Sequence, residues 1–142
     1  MKIEFKKLLL EFIRIALAFL FIFSALEKFK SIENFALSVD AYQIFPAFIV
    51  NLIAFLIPWL ELFIGFGLLF KYKLKANLIL YLILMISFTI LVFIAMLKGL
   101  DIDCGCFGES STKVGVEKLA ENLLIILLNL ALLKFLRISK SF

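Results

Sequence analysis

Four apolar runs leave this chain few folds. They cover roughly Leu8–Leu26, Phe48–Phe70, Leu74–Leu97 and Leu119–Leu136. Each has about the 20 residues that a helix needs to cross the hydrocarbon core of a bilayer. Hydrophobic residues make up 65% of the 142, against about 45–50% in a globular domain. Nothing remains for a separate soluble domain, so the chain reads as one all-α membrane domain over residues 1–142, a four-transmembrane-helix bundle. Its net charge of +4 is then a signal of topology, with no nucleic acid implied. The chain has no histidine, which excludes imidazole-built haem or zinc sites and any triad that needs a histidine base.

The basic residues orient the spans. Lys2, Lys6, Lys7 and Arg14 at the start, Lys71, Lys73 and Lys75 after the second run, and Lys134, Arg137 and Lys140 at the end account for ten of the fifteen. The positive-inside rule places those segments in the cytoplasm. The two other connections then face outward from a cytoplasmic (inner) membrane. The first run carries Glu11 and Arg14 and no Ala-x-Ala-type cleavage site, so it reads as an uncleaved helix. After Ser24–Phe29 the chain is expected to leave the membrane. Ile32, Phe35, Ala36, Val39 and Tyr42 then follow helical spacing opposite Glu33, Asn34 and Asp40. This predicts a short interfacial helix between helices 1 and 2, N-capped by Ser31 and closed by Phe45-Pro46.

Within the spans, Pro58 predicts a kink, and Ser87 and Thr89 are candidates for hydrogen bonds between helices. Charges carry more information. A carboxylate at mid-bilayer costs about 2.5–3.5 kcal/mol on insertion scales, so Glu61 needs a partner or a task. Counting helical rise from the cytoplasmic ends brings Arg14 within one or two turns of it. The reading is an intramembrane Arg14–Glu61 pair, either fixing helix packing or forming a proton or quinone-headgroup site.

Both cysteines lie in Asp101-Ile102-Asp103-Cys104-Gly105-Cys106-Phe107-Gly108, between the third and fourth runs. A Cys-Gly-Cys turn has three chemistries open to it: a small-ring disulfide that glycine lets the backbone close, a soft-metal dithiolate, or two inert thiols. Two sulfurs are too few for a closed metal site. An outward-facing loop is where disulfides persist, and strained, exposed disulfides tend to be labile or catalytic. Asp101, Asp103 and Glu109 oppose this, since negative charge raises a thiol's pKa, and Lys98 or Lys113 would offset it.

These residues resemble the methylamine-utilisation MauE branch of the DoxX-like membrane proteins. The matching pieces are Ser24–Phe29, Tyr42 with Pro46, Pro58 with Glu61 and Gly65, and Gly99-Leu100 running into Cys104-Gly105-Cys106-Phe107-Gly108. Family members often carry Arg-Asn where this chain has Glu121-Asn122, which leaves Glu121 without an assigned role. The resemblance implies a redox pair, Cys104 and Cys106, with Gly105, Phe107 and Gly108 supporting the motif. It also implies thiol–disulfide chemistry or disulfide-dependent maturation of extracytoplasmic proteins, as for the small subunit of methylamine dehydrogenase. Partners are then the lipid bilayer and a periplasmic thioredoxin-like protein or cysteine-rich client. With one cysteine pair, electrons pass to quinone directly or leave through another protein. Two other readings stay open: a non-enzymatic assembly or transport scaffold, and a DoxX-like quinone-linked oxidoreductase subunit.

Overall fold

Leu10, Arg14, Leu17, Phe21, Ser24 and Lys28 are the residues by which the first helix is anchored, and they recur in steps of four and three. That rhythm is the seam of helices packed nearly parallel, because about 3.5 residues per turn keeps one stripe facing the partner. In the computed structural model, which describes residues 1–104 and 113–138, the seam runs the length of α1 (Lys2–Lys30). The same steps bury Val50, Ala54, Pro58, Glu61, Gly65 and Leu68 on α3 (Ala47–Leu69). They bury Lys118, Asn122, Ile125, Asn129 and Leu132 on α5 (Val116–Ile138). Between α3 and α5 lies α4 (Leu74–Leu97), and these four helices are long and apolar enough to cross a membrane. The architecture is a four-helix bundle, with a short α2 (Ile32–Asp40) between the first two spans as the sequence predicts.

The bundle is inverted in its surface. Phe12, Phe19, Phe55, Phe63 and Phe93 are all exposed, an outer coat that suits lipid and not water. The interior is built from Leu17, Phe21, Ile64, Leu68, Leu78 and Tyr81, with Phe21 and Tyr81 stacked at 3.7 Å between ring centroids. Close approach of α1 and α3 needs Gly65. A Cβ there would stand 2.6 Å from Ile22 Cγ1 and 3.1 Å from the Ala18 carbonyl oxygen, so the small residue sets the interhelical distance.

Several expectations change at the level of single residues. α1 continues through Lys30, in keeping with an exit after Ser24–Phe29, yet both Ser24 and Lys28 are buried. Pro58 lies inside α3, where the sequence places it. Ser87 and Thr89 do not bridge helices: their hydroxyls donate to the carbonyls of Ile83 and Met85 on their own helix, at 2.8 and 2.6 Å. A hydroxyl within reach of the i−4 carbonyl takes that local partner first. Ser31 precedes α2 but makes no side-chain cap. α4 ends by a Schellman arrangement in which Leu100 N–H donates to Ala95 O and Gly99 N–H to Met96 O, both at 3.0 Å. Gly99 takes φ of +67° there, a conformation that costs glycine little.

Candidate functional site

Polar chemistry gathers at the end of the bundle that carries the cysteine-containing connection. Lys28 is 0% and Glu61 2% exposed, and Lys28 Nζ lies 2.9 Å from both Glu61 carboxylate oxygens. Lys28 Nζ also donates to Ser24 Oγ at 2.6 Å, and Ser24 Oγ–H points to Glu61 at 3.3 Å. The helix directions explain the meeting. Side chains lean toward the N-terminus of their own helix; α1 and α3 are antiparallel, so Lys28 and Glu61 lean toward one another.

That rule also corrects the expected Arg14–Glu61 pair. Arg14 leans away from Glu61, toward the C-terminus of α3. Its guanidinium donates to the carbonyls of Leu68 and Leu69 and pairs with Glu11 at 2.7 Å. Glu11 in turn pairs with Lys71 at 2.8 Å. Arg14 therefore caps a helix end, where a cation meets orphan carbonyls and the negative end of the helix dipole. Glu61 lies seven residues before Leu68, about 10 Å along the axis, which places it beyond Arg14's reach.

Next to the Lys28–Glu61 pair is a cavity of about 30 Å³ lined by Ser24, Glu61, Tyr81, Phe88 and Asn122 among others. Among the described residues, Asn122 Nδ2 and both side-chain amide atoms of the fully buried Asn129 have no hydrogen-bond partner. Lys118, 3% exposed, pairs with Glu121 at 2.8 Å. That contact gives Glu121 a partner, a buried lysine in the first turn of α5.

The base of the cysteine-containing connection is closed by an isolated antiparallel bridge between Asp103 and Lys113. Val114 N–H donates to Ile102 O at 2.9 Å, and Lys113 pairs with Asp101 at 3.2 Å in an exposed contact. Lys113 thus offsets one of the acidic neighbours, as expected, though exposed pairs are worth little. Lys98 instead reaches the Tyr42 carbonyl at 3.5 Å. Cys104 is 2% exposed and is disulfide-bonded. Its carbonyl accepts a 2.8 Å hydrogen bond from the Tyr42 hydroxyl. Burial pushes the Tyr42 phenol up to about 12, so it stays neutral and remains a donor at physiological pH. Gly105, Cys106, Phe107 and Gly108 lie outside the described residues.

Cys104 also forms part of the wall of an apolar cavity of about 200 Å³. α2 covers it through Phe35 and Val39, with Tyr42 just past its end, α3 contributes Ile53 and Ile57, and α4 contributes Leu84, Phe88 and Leu91. Lys28 and Ser24 are the residues that sequence reasoning missed. Their signal was present: both continue the Leu10, Arg14, Leu17, Phe21 series in steps of three and four, so the same face stays buried.

The fold and the site together define a multi-pass membrane protein, a four-helix bundle with a buried lysine–carboxylate pair beneath its cysteine-containing connection. The family model of methylamine utilisation protein MauE matches residues 6–135, and the chain belongs to that family. No curated protein and no solved structure matches it.

Proposed function

We propose that the protein is a membrane thiol–disulfide exchange protein, with Cys104 and Cys106 as its redox pair. The observation that carries this reading is Cys104 itself: it is disulfide-bonded, buried, and set in the wall of a cavity between three helices. Cys106 is the only other cysteine in the chain. The two sulfurs then have different tasks. Cys104 is sealed against solvent, so exchange with a partner starts at Cys106. A client thiolate attacks that sulfur, the S–S bond breaks, and Cys104 leaves as the thiolate. A second client thiolate resolves the mixed disulfide, so the client is oxidised and the pair is left as a dithiol. Gly105, Phe107 and Gly108 complete the sequence motif.

The positive-inside distribution supports an outer-face position for this chemistry on a cytoplasmic membrane, with both termini inside. The partner is then an extracytoplasmic thioredoxin-like protein or cysteine-rich client. The family's association with methylamine utilisation agrees with a role in maturing a disulfide-rich enzyme subunit. A scaffold reading has two observations in its favour. The Tyr42–Cys104 hydrogen bond and the Asp103–Lys113 bridge fix the base of the connection, as a structural disulfide would.

Single-cysteine variants decide between them. Cys104→Ser, which keeps Cys106, should trap a covalent adduct with an extracytoplasmic thiol protein on non-reducing gels, and Cys106→Ser should trap far less. No adduct from either variant, with full client maturation by the double variant, would sink the redox reading and leave the scaffold.

A further inference from the structure

The cavity beside Cys104 has a size, a lining and a position that together restrict its occupant. At about 200 Å³ it is smaller than the roughly 300–1,000 Å³ of sites that enclose a whole drug-sized ligand. It holds a ring and not an entire large molecule. Among the described residues no charged side chain lines it, which argues against flavin and nicotinamide nucleotides with their phosphates, since a buried phosphate needs cationic or N–H partners. Water has little to hold it there either. The Tyr42 and Ser87 hydroxyl protons are committed to the carbonyls of Cys104 and Ile83. Ser87 is exposed on α4 where that helix borders the cavity, so the cavity opens on the apolar coat of the bundle. An occupant enters from the bilayer.

One further feature points to an electron acceptor. Lys28 Nζ lies 5.1 Å from the ring centroid of Phe35 and 5.6 Å from that of Phe88, and both rings line the cavity. The positive end of the Lys28–Glu61 pair therefore stands behind the aromatic wall. At that range in a low-dielectric interior it favours gain of electron density by whatever occupies the cavity.

We propose that this cavity binds the ring of a lipid-soluble quinone, its isoprenoid tail left in the bilayer, and that the reduced Cys104–Cys106 pair reduces it. The inference rests on the redox reading of the cysteines given above. The step balances without another reactant. Two S–H bonds break and one S–S bond forms, releasing two electrons and two protons. The quinone takes up both, forms two O–H bonds and leaves as quinol. The disulfide is restored for the next client.

The test uses the full-length protein in lipid nanodiscs, a short-chain photoreactive azidoquinone and peptide mapping. Labels are expected on α2 or α4 within residues 35–42 and 84–91, displaced by excess decylubiquinone and not by added phospholipid. Ile53→Trp and Leu91→Trp, which fill the cavity, should each lower labelling at least tenfold. Both should keep wild-type helix content and wild-type reduction of the disulfide by dithiothreitol. Labelling elsewhere, labelling displaced by phospholipid, or labelling unchanged in both tryptophan variants would overturn the inference. Bound quinone that dithiothreitol-reduced protein fails to reduce would overturn the electron-transfer step. Thiol adducts from Cys104→Ser without any quinone labelling would overturn this inference while leaving the exchange function standing.

Discussion

Lys28 Nζ sits midway between the two carboxylate oxygens of Glu61, 2.9 Å from each, and neither residue reaches solvent. An ion pair sealed inside a bundle of this size is weak evidence for stability, because both charges have lost their hydration. Its value lies in what breaking it does. Ser24 bonds to both partners, so the pair is a three-residue network that ties the end of α1 to the middle of α3. α2 and the cysteine-containing connection stand on that junction.

Removing one partner should cost more than removing both. Lys28→Met leaves the Glu61 carboxylate buried without its cation, a loss of about 3–5 kcal/mol. The double variant Lys28→Met with Glu61→Gln strands no charge and should recover most of it. Unfolding in mixed detergent micelles, followed by circular dichroism, reads the difference. Equal destabilisation by the single and double variants would show that the two residues act independently.

Arg14 and Glu61 should behave as strangers. Arg14 serves Glu11 and the last carbonyls of α3, about two turns from Glu61. Arg14→Gln should destabilise by about 1–3 kcal/mol, the cost of unsatisfied buried acceptors. Combined with Glu61→Gln, its effect should add within about 0.5 kcal/mol. Rescue of one by the other in the same unfolding assay would restore the pairing that depth alone suggests.

The contrast between those two arginine and lysine positions marks how far the sequence carried. Four spans, the short helix between the first two and the buried importance of Glu61 follow from apolar length, helical spacing and insertion cost, and all are visible residue by residue. The partner of Glu61 does not follow from depth alone. Rise per residue gives height, yet the lean of a side chain toward its helix N-terminus moves its charged tip by several ångströms. In antiparallel helices the two leans add. The inward turn of Lys28 was hidden for a physical reason: Glu27, Lys28 and Lys30 together look like an exit from the membrane. Glu27 and Lys30 do pair with each other on the outside, while Lys28 alone points inward. The Ser87 and Thr89 hydroxyls turned to their own helix because the i−4 carbonyl is always nearer than a neighbouring helix.

Tyr42 should set how firmly the cysteine-containing connection is held. Its hydroxyl is the buried donor to the Cys104 carbonyl. Tyr42→Phe leaves that carbonyl without this donor and should cost about 1–2 kcal/mol, and reduction of the disulfide by dithiothreitol should accelerate about tenfold. The pH dependence has a definite sign. The phenol is pushed up to about 12 by burial, from about 10 in the unfolded chain. Its contribution is therefore fully present below about pH 10 and is lost as pH rises through about 12. Wild type should show this alkaline loss in melting temperature, and Tyr42→Phe should lack that limb. An identical alkaline limb in both proteins would assign it to other groups.

Orientation is the prediction on which the chemistry of the cysteines depends. The chain ends and the Lys71–Lys75 turn hold the cationic excess, and cationic segments near span ends are retained on the cytoplasmic side. The packing agrees with that sorting. At the termini end, Glu11, Arg14 and Lys71 form a partly exposed charged cluster. At the opposite end, Lys28 and Lys118 are each buried against a carboxylate, which withdraws them from the free cationic count. Lys30, Lys98 and Lys113 remain there, Lys30 matched by Glu27 and Lys113 by Asp101. After mild reduction of intact spheroplasts, a maleimide that cannot cross membranes should label the cysteines. Blocking with the same reagent beforehand should sharply lower later labelling by a permeant maleimide. Labelling that appears only once the membrane is permeabilised would reverse the orientation and place the pair in a reducing compartment, where a lasting disulfide is not expected.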